Sequence, residues 1–136
     1  MKLFVICSKK FYGRIPEIGR ALEQQGHVLT MPNCYDAPET EDRVRALGKD
    51  AHGKWKSSMI AHSEQVISEN DGVVVLNFDK GAMENYIGGA TFLEMYDAFR
   101  LGKKIFLYND PPEGILHDEV IGFSPVVLNG DLSKVA

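Results

Sequence analysis

The run Gly72-Val73-Val74-Val75-Leu76-Asn77-Phe78 constrains this chain more than any other segment, because its consecutive aliphatic side chains leave neither face of a strand for water. Such a strand is buried on both sides, the pattern of a parallel sheet covered by helices on each face. A sheet with one wet face would alternate apolar and polar residues instead.

The flanking segments agree. Lys2–Cys7 is a short β-branched and aromatic run, broken at Ser8–Arg14 by a polar loop containing Gly13. Pro16 suits the first turn of a helix, Ile15, Ile18 and Leu22 fall at helical spacing, and Gly26 is a stop signal. His27–Met31 reads as a second strand. Pro32, Asn33, Pro38 and a run of acids then mark a surface excursion without an apolar period. From Asp50 to Asn70 the period predicts a long helix with Trp55, Met59, His62 and Val66 on one face, Ile60 and Ile67 beside it. Phe92, Met95 and Phe99 predict another helix ending at Gly102. Lys104–Tyr108 and Pro125–Leu128 supply the last two strands, with Pro111-Pro112-Glu113-Gly114 as a loop.

Strands alternating with helices predict an α/β fold, a three-layer sandwich around a five-stranded parallel sheet. The expected strand order is 2-1-3-4-5, flavodoxin-like. At 136 residues there is room for one domain, spanning 1–136. With 44% hydrophobic and 25% charged residues, disorder and coiled-coil rods are excluded.

No apolar run reaches the roughly 18 residues of a membrane span, and the opening Met1–Cys7 is too short for a signal peptide's apolar core. Cys7 and Cys34 form no C-x-x-C pattern and read as free thiols of a reducing compartment. The expectation is a cytoplasmic protein with no membrane partner. A net charge of -4 gives no support to binding DNA or RNA polymers, so a nucleic-acid-like ligand should be small.

In the expected strand order the crevice lies between the ends of the first and third strands, so the loops Ser8–Arg14 and Asn77–Thr91 face each other across it. In Asn85-Tyr-Ile-Gly88-Gly89-Ala-Thr91-Phe-Leu-Glu94, adjacent glycines allow close approach to the backbone and a helix N-terminus opens toward the ligand. Glu94 falls in or near the first turn, where the helix dipole favours an ionised carboxylate able to act as a nucleophile. Thr91-x-x-Glu94 equally matches a capping box, in which both residues serve only the helix's own N–H groups. The first loop carries Ser8, Lys9, Lys10, Tyr12, Gly13 and Arg14 ahead of a helix N-terminus, a recipe for one phosphate group, or a solvated basic loop. His27, His52, His62 and His117 have no metal-ligand spacing, and no metal is expected. His62 on its apolar face reads as semi-buried. Trp55 and Met59 read as core or subunit contact rather than a base-stacking platform.

The run Asp71-Gly-Val-Val-Val-Leu, then Gly89-Ala-Thr91-x-x-Glu94, then Ala98 and Gly102-Lys103, resembles the nucleoside 2-deoxyribosyltransferase family, including its nucleoside 5'-monophosphate N-glycosidase branch. The likeness covers the whole chain in order of elements and carries motifs over about Asp71–Tyr108. It implies cleavage or transfer at an N-glycosidic bond, with Glu94 attacking the anomeric carbon, no cofactor, and a nucleoside or nucleotide as the small-molecule partner. The basic first loop is similar to that of the monophosphate branch, where it holds the 5'-phosphate. The resemblance further implies a homo-oligomer whose sites borrow residues from neighbouring subunits, with the Trp55 and Met59 helix a candidate contact. Asn129–Ser133 is a candidate to reach a neighbour's pocket.

The chemistry needs such residue types, since a carboxylate beneath the anomeric carbon stabilises an oxocarbenium-like state and then traps it as a glycosyl-enzyme. The leaving base wants a proton or a hydrogen bond, for which Asp79 and Glu84 on the third loop are candidates; each also reads as a solvated loop carboxylate. The chain departs from the family at four places. Ala90 and Tyr96 stand where glycines are usual, Ser63 falls at about the place of a supporting acid, and Val5 at that of a tyrosine. These departures admit a rival, a nucleotide-binding or sensing domain without catalysis. A flavodoxin-like electron carrier shares the expected fold, but fold does not imply function.

Overall fold

The computed structural model describes residues 1–136 as one α/β domain. Five strands, β1 (Lys2–Ile6), β2 (Val28–Thr30), β3 (Gly72–Val75), β4 (Lys104–Leu107) and β5 (Val126–Val127), form an all-parallel sheet in the order β2-β1-β3-β4-β5. The expected order is the observed one. The helices are α1 (Ile15–Gln24), α2 (Thr40–Arg45), α3 (Lys49–Ser68), α4 (Gly89–Arg100) and α5 (His117–Gly122).

The pleat explains why the strands read as unbroken apolar runs. Leu3, Val5, Val74, Leu76 and Phe106 project to one face, where they meet Ile15, Ile18 and Leu22 on and around α1. Phe4, Ile6, Val73, Val75, Ile105 and Leu107 project to the other and pack on Ile67 of α3 and on Met95 and Ala98 of α4. Successive side chains thus alternate between two dry layers, as the period of a strand requires. Gly72 opens β3 where the sheet is tightest: a Cβ there would stand 2.7 Å from the Lys104 carbonyl oxygen.

Three local expectations are corrected. The first loop is a 3-10 helix over Lys9–Arg14, capped by Ser8, whose hydroxyl accepts from the Lys10 N–H. The polar excursion contains α2, and α5 makes the crossover between β4 and β5; with no buried residue in α2 and only Val120 in α5, neither has an apolar stripe to reveal it. On α3 the inward stripe is Trp55, Met59, Ser63 and Ile67, at four-residue spacing, with Ser63 and Ile67 buried and the other two half-buried. His62, expected semi-buried, is exposed because it lies one residue off that stripe.

Candidate functional site

Parallel strands all end at the same edge, and between β1 and β3 the chain reverses its direction of winding, so the following loops part and leave a crevice. A cavity of about 410 Å³ occupies it. Its floor comes from Cys7 and Ser8 after β1, its first wall from Tyr12 and Asn33, its second from Met59 and Ser63 of α3, and its far side from Gly88 through Thr91, with Glu94 and Asp97, along α4.

Glu94 lines the cavity from α4. The Ser63 hydroxyl donates to its Oε2 at 2.8 Å. Oε1 has no hydrogen-bond partner, yet no unpartnered side-chain oxygen or nitrogen in the chain is buried, so Oε1 is the oxygen open to the cavity. Burial pushes the Glu94 carboxyl up to about 7 from 4.5, and the nearby Asp97 adds to the rise, while the Ser63 hydrogen bond and Lys56 work against it. A carboxyl so placed exchanges its proton near neutral pH.

The neighbouring sulfur and phenol are shifted in the same direction. Burial, reinforced by the charge of Glu94, pushes the Cys7 thiol up to about 12, and Tyr12 is likewise raised, first by burial and then by Cys7 and Cys34. Both stay protonated at neutral pH, which leaves Cys7 without the thiolate that makes cysteine a nucleophile.

The alternative reading of Thr91-x-x-Glu94 as a capping box does not hold. The N-cap of α4 is Gly88, no side chain caps it, Thr91 is buried in the first turn, and Glu94 lies one turn further in, turned toward α3. The amides at the start of α4 therefore have no capping side chain, and Gly88 and Gly89 line the cavity. At Gly89 a Cβ would meet no atom within 4 Å, so packing does not demand glycine there.

Of the first loop, Ser8, Lys9 and Tyr12 line the cavity, and Lys10, Gly13 and Arg14 do not. Arg14 pairs with Glu17 at 2.8 Å and lies 4.2 Å over the Phe78 ring, since the 3-10 helix turns it toward α1. Lys9 is engaged by Asp42 at 3.0 Å. Asp79 and Glu84 are exposed and outside the lining; Asp79 Oδ1 accepts from the Asn85 N–H at 3.0 Å and so tightens its own loop. Trp55 and Met59, expected in the core or a subunit contact, are half-buried and line the cavity.

Sequence reasoning missed the contribution of the excursion. Asn33 reaches across to α3, where its Nδ2 donates to Ser63 Oγ at 2.7 Å. Glu41 and Arg45 of α2 form part of the roof. Glu41 Oε2 takes hydrogen bonds from His52 Nε2 and Lys56 Nζ, both at 2.9 Å, which clamps α2 onto α3. Lys80 also lines the cavity, its ammonium 4.4 Å over the Tyr86 ring and without an acidic partner. The acids and bases of 39–45 at three- and four-residue spacing were the available signal for α2. Comparison with protein-family models, with curated proteins and with solved structures finds no match for this chain.

Proposed function

We propose that this cavity binds a nucleoside or nucleoside 5'-monophosphate and that Glu94 attacks the anomeric carbon of its sugar, cleaving or transferring the N-glycosidic bond. The observation that carries the reading is the Glu94 carboxylate, held by Ser63 through one oxygen and open to the cavity through the other. In the first step Oε1 bonds to the anomeric carbon, and the electron pair of the broken bond leaves on the base nitrogen, which takes a proton from water in the cavity. In the second, water or another base attacks the same carbon and breaks its bond to Oε1, giving its own proton to the hydroxide left by the first step and freeing the carboxylate, so that the outcome is hydrolysis or transfer.

Several features support a ligand of this class. The cavity volume of about 410 Å³ is of the size that small-molecule sites occupy. Trp55, Met59 and Pro32 give part of its wall an apolar surface suited to a flat base. Of the lining cations, Lys9, Lys56 and Arg45 are neutralised by acids, so Lys80 and the first amides of α4 are the groups left to meet a 5' substituent.

Chromatography of free base tests the proposal, with wild type and Glu94→Ala incubated with nucleosides and 5'-monophosphates, each with and without a second acceptor base. Base release is expected from wild type and not from the variant, and dependence on acceptor separates transfer from hydrolysis. An active Glu94→Ala variant would overturn the mechanism. The exposed position of Asp79, and a serine where the resembled family has a supporting acid, favour a second reading: a nucleotide-sensing domain, which would bind the same ligands and release no base.

A further inference from the structure

From the hydrogen bonds beneath Glu94 we infer that Ser63 and Asn33 are positioning residues, a directional relay that makes Oε2 an acceptor and leaves Oε1 for the sugar; this rests on the proposed role of Glu94. The direction follows from counting hydrogens. A serine hydroxyl has one hydrogen to give and lone pairs to receive with, whereas a side-chain amide nitrogen can only donate. Asn33 Nδ2 stands 2.7 Å from Ser63 Oγ and must be the donor of that bond. Ser63 then spends its own hydrogen on Glu94 Oε2 at 2.8 Å. The Tyr12 hydroxyl donates to the Asn33 carbonyl oxygen at 3.2 Å, tying the relay to the first loop.

The relay crosses three segments that share no strand pairing: the turn after β2, the middle of α3 and the second turn of α4. Ser63 is buried, and the hydrogen bonds its hydroxyl makes are with these two partners alone. A hydrogen bond donated to one oxygen of a carboxylate favours its ionised form and restrains its plane. The other groups facing Glu94 are Lys56 from α3, Asp97 from α4, Cys7 just after β1 and Tyr12 of the first loop; of these Lys56 favours ionisation, Asp97 opposes it, and the thiol and phenol are neutral.

The test titrates the Glu94 carboxyl by ¹³C NMR in the full chain, its signal assigned through Glu94→Gln. Ser63→Ala removes the donor. Asn33→Asp reverses the relay, because the new carboxylate accepts the serine hydrogen and leaves Oε2 bare. The Glu94 midpoint is expected to rise by about one to two pH units in Ser63→Ala, a 10- to 100-fold stronger hold on the proton, the range for losing one hydrogen bond to a charged group. In Asn33→Asp it should rise at least as far. Midpoints unchanged or lowered in both variants, with the native fold retained, would overturn the relay. A side chain that merely filled space at position 63 would give no such shift. Because the titration needs no substrate, raised midpoints in a protein that releases no base would uphold the relay while refuting the proposed reaction.

Discussion

Glu94→Gln should make the protein more stable at alkaline pH and much less so at acidic pH, and the size of the change can be worked from one group. Burial holds the carboxyl at about 7 in the folded chain against 4.5 in water. Between those values the folded state keeps a proton that the unfolded state releases, so wild-type stability falls as pH rises through the window and levels off above it. At about 1.4 kcal/mol per pH unit the full loss is about 3 kcal/mol, of which about 2.5 kcal/mol falls between pH 5 and pH 8.5. Glutamine has no proton to lose there and keeps an oxygen for Ser63. Whatever fixed offset it introduces cancels when two pH values are compared. For a chain of 136 residues, an unfolding entropy of about 2.1 cal/mol/K per residue turns this into about 9 °C in Tm. Thermal unfolding followed by circular dichroism, at pH 5 and 8.5 and constant ionic strength, should show the variant's advantage growing by that amount. A gap that is the same at both pH values would refute the claim that Glu94 is a desolvated carboxyl in the folded state.

Two further predictions concern the frame. Gly72→Ala would drive a Cβ to 2.7 Å from the Lys104 carbonyl oxygen, and backbone cannot move aside inside paired strands, so a loss of about 1–3 kcal/mol is expected in urea unfolding; an unchanged midpoint would contradict it. Glu41→Gln should weaken the clamp from His52 and Lys56 on a helix that buries nothing, giving faster amide exchange across Thr40–Arg45 with global stability within about 0.5 kcal/mol. In wild type, burial resists the ionisation of Glu41 but these hydrogen bonds prevail and hold it below its ordinary range, so the same loosening should come only in strong acid.

The sheet was legible because its signal is dense. The three central strands β1, β3 and β4 are buried on both faces, so consecutive residues report the same environment and Val73 to Leu76 cannot be read another way. Strand order followed from the alternation of elements, and with it the position of the crevice and of Glu94 beside it. What lies between strands was legible only where a helix buries a stripe. The helix α1 does so through Ile18 and Leu22, whereas α2 is held by ion pairs to α3 and to the first loop, which leave no period of apolar residues. Arg14 shows the limit of loop reading: its charge suited a phosphate, but the 3-10 helix carries it onto Phe78 and Glu17.

The one place where periodicity misled inside a regular element is also where the candidate site is built. An apolar stripe on α3 predicts a hydrophobic residue at position 63, between Met59 and Ile67, and a reader following hydrophobicity shifts the face to His62 instead. A leucine at 63 would seal α3 onto α4 and leave Glu94 Oε2 buried without a donor, a loss that outweighs the gain from packing, since an unpaired charged oxygen costs more than one aliphatic side chain returns. Serine is small enough to let Asn33 in from the turn after β2 and supplies the single hydrogen that Oε2 accepts. The polar interruption on an otherwise inward-facing stripe is therefore required by the carboxylate opposite it. In a chain whose local rules otherwise agree with its fold, such a break points to the residue it serves.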